Sequence, residues 1–161
     1  MPILESRSLL WPEESACERF ARELARCPGL MECSVELHGS LGAGKTSFVR
    51  HLLRALGVAG RIKSPSYAVL ETYALPGLGT ASHFDFYRFD DPREWEDAGF
   101  RDVFAAPGLK LSEWPEKAAG VLPSPDLSLF IEAQPDDSRR VRVDAHSPRG
   151  VVVLKALEGE E

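Results

Sequence analysis

The sequence predicts an α/β fold, with helices on both sides of a mostly parallel, mixed sheet in a three-layer domain. Two observations support this. Segments with the two-residue period of strands alternate with segments of helical period along the chain. A glycine-rich loop also stands between a predicted strand and a predicted helix. With 161 residues the chain suits one domain. We therefore expect a single domain over residues 1–161, whose acidic residues 158–161 are frayed.

The composition is that of an ordinary globular protein. Hydrophobic residues make up 43% and charged residues 27%. No apolar run reaches the roughly 20 residues of a spanning helix, and the N-terminus lacks the basic start and apolar core of a secretory signal. The net charge of −6 argues against a protein that grips nucleic acid by itself. We expect a cytoplasmic protein with no membrane partner, for which any connection with RNA runs through another protein.

The three cysteines give a weak signal. Cys17, Cys27 and Cys33 form no C-x-x-C pair, and their number is odd. Two of them fall in segments of apolar periodicity. They therefore indicate buried thiols rather than a metal site or a disulfide framework.

The first elements in chain order are a strand, a helix and a second strand. Residues 3–10 form the first predicted strand, and Pro12 suits the first turn of a helix because its missing N–H costs nothing there. Pro28 and Gly29 end this helix. Residues 33–37 predict the strand before the loop. One helix face is apolar: Ala16, Cys17, Phe20, Ala21, Leu24 and Cys27.

The loop from Gly39 to Thr46 reads GSLGAGKT and matches G-x-x-x-x-G-K-[ST] at every fixed position. Its glycines let backbone amides turn inward around phosphate oxygens. Lys45 adds a charge for the β- and γ-phosphates, and the Thr46 hydroxyl suits Mg²⁺. The helix predicted over residues 47–56 aims its positive N-terminus at the same anion. The predicted nucleotide contacts are Gly39, Leu41, Gly42, Ala43, Gly44, Lys45, Thr46 and Ser47.

Five further strands are predicted after the loop helix. They cover residues 68–73, 82–87, 109–112, 127–132 and 140–144. A turn over residues 75–79 joins the first two of them. A short helix over residues 91–97 ends at Gly99. Residues 151–157 fit a helix or a strand, because periodicity alone does not separate the two.

Asp85 and Glu113 lie at or near the carboxyl ends of predicted strands, the edge where ligands bind in open α/β sheets. A P-loop protein that hydrolyses needs a carboxylate there to hold Mg²⁺ and order the attacking water. The alternative for each residue is a solvated charge at a strand end. His83 shares a strand face with Asp85 and is either a structural or a catalytic histidine.

Two further observations concern the nucleotide. Ser66 follows Pro65 in a segment that either senses a γ-phosphate, as switch segments do, or simply turns. The chain contains no asparagine, so the Asn-Lys-x-Asp element that reads guanine is absent, and no D-x-x-G follows the loop. These absences favour ATP over GTP.

Together these motifs resemble the TsaE (YjeE) family, small bacterial ATPases required for the threonylcarbamoyladenosine modification of tRNA. The resemblance spans nearly the whole chain. It implies that Lys45 and the loop amides hold the phosphates of ATP, that Thr46 and Glu113 bind Mg²⁺, and that Asp85 is needed for hydrolysis. It also implies action on a complex of TsaD and TsaB. The motifs in order are Leu41–Thr46, then Ser64-Pro65-Ser66-Tyr67 as the switch-like segment, His83-Phe84-Asp85-Phe86-Tyr87-Arg88, and Glu113-Trp114.

Some positions depart from the family pattern or match it loosely. Ser40 stands where the family usually has Asp, so a charge near the phosphates is lost. Ser15 resembles a threonine that the family places near the nucleotide. Arg139 or Arg140 resembles a C-terminal basic contact. Trp114 either borders the nucleotide or belongs to the core.

Two other functions stay open at this stage. A small-molecule kinase would need an acceptor pocket and arginines that cover the transferred phosphate, for which Arg139, Arg140 and Arg142 are candidates. The alternation of these arginines with valines favours one solvated strand face instead. A nucleotide-gated assembly factor would bind ATP to set its affinity for a partner, with hydrolysis dispensable.

Overall fold

A computed structural model describes residues 2–63, 65, 69–89, 91, 93 and 99–158. Helices and strands alternate over most of this length, and two short 3₁₀ helices, Leu30–Glu32 and Pro115–Ala118, join them. The elements in chain order are β1 (Glu5–Trp11), α1 (Glu14–Ala25), β2 (Ser34–His38), α2 (Lys45–Ala55), β3 (Leu70–Leu75), β4 (Gly79–Asp85), α3 (Phe100–Ala105), β5 (Leu109–Glu113), β6 (Leu127–Ala133), β7 (Arg139–Ala145) and α4 (Pro148–Glu158).

The described strands form one seven-stranded sheet in the order β1-β7-β6-β2-β5-β4-β3. The four central strands β6, β2, β5 and β4 run parallel to one another. The pairs β1–β7, β6–β7 and β3–β4 are antiparallel. The sheet is therefore mixed and mostly parallel, as predicted. The carboxyl ends of the four central strands lie at one edge, where β2 continues into the glycine-rich loop.

Apolar side chains cover both faces of the sheet. On one face α1, α2 and α4 pack against residues of the central strands such as Val35, Leu37 and Leu111, all inaccessible to solvent. On the other face a smaller cluster forms around Phe84, Phe86 and Phe100, the last from α3. This arrangement confirms the predicted α/β fold with layers on both faces. Helix α2 and the glycine-rich loop before it lie on the face of the sheet that carries the larger apolar cluster.

The bounds of several elements differ from the prediction. β4 ends at Asp85, two residues before the predicted end, because the Asp85 carboxylate accepts the Tyr87 amide and turns the chain. The predicted strand 68–73 lies at Leu70–Leu75. The ambiguous segment 151–157 belongs to helix α4. Helix α3 was not predicted. The predicted helix over residues 91–97 lies mostly outside the described residues.

The three cysteines are buried thiols, as predicted. Burial raises the pKa of both the Cys17 and the Cys33 thiol to about 12. These side chains are therefore protonated at neutral pH and pack as small apolar groups. Of the helices in the described ranges, none has the length and apolar character to cross a membrane.

Candidate functional site

The glycine-rich loop leaves the carboxyl end of β2 and turns directly into α2, so strand, loop and helix follow each other as predicted. Gly39, Gly42 and Gly44 have φ angles of +153°, +81° and +110°, in the region that favours glycine. The Ala43 amide donates to the Ser40 carbonyl at 3.0 Å, which closes a tight turn within the loop. The N-terminus of α2, an 11-residue helix, faces the space in front of this turn.

Gly39 is the least replaceable glycine of the loop. A Cβ there would lie 2.5 Å from the Ile131 carbonyl oxygen of β6, whereas a Cβ on Gly42 would meet nothing within 4 Å. Both replacements carry the backbone strain of a positive φ, about 1–2 kcal/mol. We expect Gly39→Ala to lower the free energy of unfolding in urea by clearly more than its matched control Gly42→Ala. Equal losses would show that the contact with Ile131 is unimportant.

Lys45 is buried at the start of α2, with 4% of its surface exposed. Its Nζ donates to the Gly39 carbonyl at 2.5 Å and lies 3.4 Å from the centre of the Trp114 ring. Burial lowers the pKa of this ammonium, and the negative charge of Glu113 opposes that effect. The positive charge is therefore held between the loop backbone, an aromatic face and the carboxylates.

Asp85 and Glu113 end neighbouring parallel strands and face each other in register. They are 8% and 2% exposed, so neither is the solvated strand-end charge that the sequence left open. Burial, together with the charge of Glu113, raises the pKa of Asp85, although the Tyr87 amide partly offsets this. Two carboxylates at neighbouring strand ends give this edge a negative charge that favours a cation.

Thr46 adds a hydroxyl oxygen to the carboxylates of Asp85 and Glu113 at this edge of the sheet. Its hydroxyl donates to Glu113 Oε1 at 2.9 Å, so α2 and β5 are joined at the loop. A hydroxyl and two carboxylates are hard oxygen ligands, the type that Mg²⁺ takes in proteins. The residues present therefore fit the magnesium ion that the family resemblance implies.

His83 lies on the same face of β4 as Asp85 and is only 1% exposed. Its Nε2 is 2.5 Å from Glu113 Oε2, the carboxylate oxygen that Thr46 does not use. Its Nδ1 is buried and has no hydrogen-bond partner within the described part of the chain. The sequence left a structural and a catalytic histidine open, and the structure adds the contact with Glu113.

Two clefts lie on either side of the loop and share Gly42, Gly44 and Ser47. The larger, of about 370 Å³, contains Lys45 and both carboxylates. Its further lining residues are Leu41, Thr46, Tyr87, Arg88 and Trp114. The smaller, of about 130 Å³, is lined also by Trp11, Glu13, Glu14, Cys17, Ala43, Asp137 and Arg139.

Arg139 ties the smaller cleft to the loop. It begins β7 at the same sheet edge, and its Nε donates to the Ala43 carbonyl at 2.7 Å. Arg140 alternates to the opposite sheet face, where it lines a separate groove with Arg142 and Phe130. Of the two arginines that resemble the family's basic contact, Arg139 lies at the loop and Arg140 lies on the opposite face. Arg139 therefore lies on one face of the sheet and Arg140 and Arg142 on the other. The three arginines do not form the single cluster that would cover a transferred phosphate in a kinase.

The remaining predicted residues are placed as follows. Trp114 borders the larger cleft, with its ring 5.0 Å from that of Tyr87. Ser40 is exposed and lines the groove beside Arg140 rather than either cleft. Ser15 is exposed in the first turn of α1 and lines neither cleft. Of the switch-like segment, Pro65 is buried and its carbonyl accepts the Val69 amide, whereas Ser64, Ser66 and Tyr67 lie outside the described residues.

Several residues of the smaller cleft were missed by sequence reasoning. Trp11 and Asp137 reach it because β1 pairs with β7, with Trp11 opposite Arg139. Glu14 and Cys17 reach it from the first turns of α1. No local pattern announces a pairing between segments more than 120 residues apart. The signal would have been the position of these residues next to predicted strand and helix ends.

Comparison with known proteins identifies relatives of this chain. Residues 11–141 match the family model described as threonylcarbamoyl adenosine biosynthesis protein TsaE. The tRNA threonylcarbamoyladenosine biosynthesis protein TsaE of Haemophilus influenzae is 36% identical, covering 96% of this chain and 99% of that protein. The Bacillus subtilis protein of the same name is 34% identical over 75% of each chain. The crystal structure of Bacillus subtilis YdiB superimposes with a TM-score of 0.79 at 21% identity over 99% of both chains, a likeness of fold.

Proposed function

Because the chain belongs to the TsaE family, which takes part in tRNA threonylcarbamoyladenosine biosynthesis, we propose that it binds and hydrolyses MgATP and supports that modification together with TsaD and TsaB. One observation carries the proposal. The glycine-rich loop, Lys45 and two buried carboxylates converge at one edge of the sheet, in a cleft of about 370 Å³. This is the arrangement that phosphoryl transfer to water requires.

The phosphates of ATP lie against the loop in this proposal. The backbone amides of the loop and the N-terminus of α2 supply partial positive charge, and Lys45 supplies a full one. The ammonium of Lys45 already lies in the larger cleft, where Trp114 and the Gly39 carbonyl hold it. It needs no large movement to meet an anion.

Thr46 and Glu113 would hold Mg²⁺, which supplies neutralisation of the charge that develops on the phosphates. Asp85 orients the attacking water and accepts its proton. Its raised pKa suits that role, because a base is most effective when its pKa approaches the working pH. The rings of Trp114 and Tyr87 line the same cleft, and in this proposal they limit the entry of other water.

The smaller cleft takes the nucleoside end of ATP, since it shares the loop with the larger cleft and is not lined by Asp85 or Glu113. We expect Arg139→Ala to weaken ATP binding about 10-fold, because the guanidinium supports the loop through the Ala43 carbonyl and lines the cleft. Arg140→Ala is the matched control on the opposite face and should leave the affinity unchanged. Equal effects of the two variants in isothermal titration would remove Arg139 from the site.

The division of labour with TsaD and TsaB fits the charge of the chain. With 25 acidic and 19 basic residues it has little means of holding tRNA by itself. We therefore propose that tRNA is met indirectly, through the TsaD and TsaB complex. Hydrolysis then drives turnover of that complex and not the transfer of the carbamoyl group.

A phosphate-release assay tests the proposed activity and separates it from the two alternatives. Purified protein with MgATP should form ADP and phosphate without any acceptor. ATP consumption that requires a small-molecule acceptor would indicate a kinase instead. Full cellular function of a variant that binds but does not hydrolyse ATP would indicate a nucleotide-gated assembly factor.

A further inference from the structure

We propose that His83 is a positioning residue for the metal ion: it holds the Glu113 carboxylate in the orientation in which Glu113 and Thr46 take a divalent cation. The inference rests on the proposed function of this site and adds a role that the family resemblance does not supply. His83 itself reaches Glu113 and not the loop, so it acts on the metal through another side chain.

The contacts of Glu113 carry this inference. One carboxylate oxygen accepts the Thr46 hydroxyl at 2.9 Å, and the other is 2.5 Å from His83 Nε2. Two partners on different sides set the plane of the carboxylate and leave each oxygen with lone pairs for a cation. Because His83 and Glu113 are 1% and 2% exposed, water does not compete for their bond.

The orphaned nitrogen of His83 argues against a purely structural histidine. Buried polar atoms nearly always find a partner, and one that does not costs about 1–3 kcal/mol. Nδ1 of His83 is such an atom within the described residues. An apolar side chain facing the same interior would avoid this cost. A histidine whose side-chain hydrogen bond among the described residues is the one with Glu113 is explained if that contact has a use.

Glu113 also needs a partner for Oε2, its second carboxylate oxygen. Asp85 faces it across the strand pair, and the charge of Glu113 contributes to the raised pKa of Asp85. Lys45 lies on the loop side, where the negative charge of Glu113 partly offsets the lowering of the Lys45 pKa. In the described contacts, His83 is the partner that holds Oε2 of Glu113. Loss of such outer contacts weakens metal binding by about 10–100-fold in known sites.

Two substitutions of His83 separate the effect of its hydrogen-bond donor from the effect of the volume of its ring. Gln places its amide nitrogen near the position of Nε2, whereas Asn places it near Nδ1, short of Glu113. The probe is Mn²⁺, titrated by electron paramagnetic resonance in the presence of saturating ADP. We expect His83→Asn to weaken Mn²⁺ binding about 10-fold or more, and His83→Gln to restore most of it. The affinity for ADP in EDTA should stay unchanged in both variants.

The matched control is His146→Asn. His146 bonds to Ser128 and to the Pro2 carbonyl beyond the end of β7, at the opposite edge of the sheet. The His146→Asn variant should be less stable than the wild type and should bind Mn²⁺ with unchanged affinity. Unchanged Mn²⁺ affinity in His83→Asn, or equal losses in the Asn and Gln variants, would overturn the positioning role. If the wild-type protein bound ADP with no effect of Mn²⁺, the proposed function would fail together with this inference.

Discussion

Lys45→Met should weaken ATP binding by about 100-fold, since the loss of a charge-assisted contact with phosphate is worth roughly 1.5–3 kcal/mol. Met has a similar length and no charge, so the packing beside Trp114 is largely retained. Burial lowers the pKa of Lys45, which shows that the ammonium is held there at a cost. The variant should therefore stay folded while losing its ligand. Isothermal titration with ATP and thermal melting measure the two effects separately.

Lys110→Met is the matched control for this prediction. Lys110 is also buried, with 5% of its surface exposed, and burial likewise lowers its pKa. Its Nζ donates to the carbonyls of Ala106 and Gly108, near the amino end of β5 and away from the loop. Its replacement leaves those carbonyls without their donor, so it should reduce stability and keep ATP affinity. A Lys45 variant that bound ATP like the wild type would contradict the phosphate role.

Asp85→Asn should reduce the rate of hydrolysis by about 100-fold or more while ATP still binds, because the amide cannot accept a proton from water. The oxygen that accepts the Tyr87 amide is retained in Asn, so the turn after β4 should persist. Single-turnover phosphate release measures the chemical step, and titration measures binding. Normal turnover in this variant would remove Asp85 from the mechanism.

The same substitution should also stabilise the protein at neutral pH. The pKa of Asp85 is raised in the folded state, so the folded chain holds this proton more tightly than the unfolded chain does. Stability therefore falls as the pH rises through the range between the two pKa values, and the ionised carboxylate destabilises the fold at neutral pH. Asp85→Asn removes that penalty. The gain in melting temperature should be largest near neutral pH and should vanish in acid.

Asp144→Asn gives the opposite signature and serves as the control. Asp144 is buried in β7 and accepts hydrogen bonds from Ser6 and Arg142, at 2.7 Å and 3.2 Å. It lies away from both clefts. Its replacement should lower stability and leave hydrolysis unchanged. A gain of stability at Asp85 with a loss at Asp144 would show that the first carboxylate is held at its place for function.

Local signals in the sequence predicted the loop and its helix, because the glycines, Lys45 and Thr46 act within one short segment. Asp85 and Glu113 were also found, since each ends a strand of alternating pattern. The sequence patterns alone could not show that Asp85 and Glu113 lie opposite each other, because the order of strands depends on pairings across the chain. The register of β4 on β5 brings the two carboxylates opposite each other. The His83 contact follows from the same register and was therefore left open.

Other misses have similar causes. Helix α3 covers only six residues, too short for a periodic pattern to separate it from a loop. The α4 segment was ambiguous until its packing against the sheet face decided between helix and strand. The smaller cleft depends on β1 and β7 lying side by side. Each of these features arises from tertiary contacts that no window of sequence contains.

In the proposed function, the loop, Lys45 and the two carboxylates form a site that hydrolyses ATP in support of TsaD and TsaB. The most direct test is phosphate release from MgATP by the purified protein, alone and with TsaD, TsaB and tRNA. We expect slow, metal-dependent formation of ADP and phosphate by the protein alone, and faster turnover with the partners. Absence of phosphate release in every mixture, with ATP bound at the site, would rule out the proposed hydrolysis.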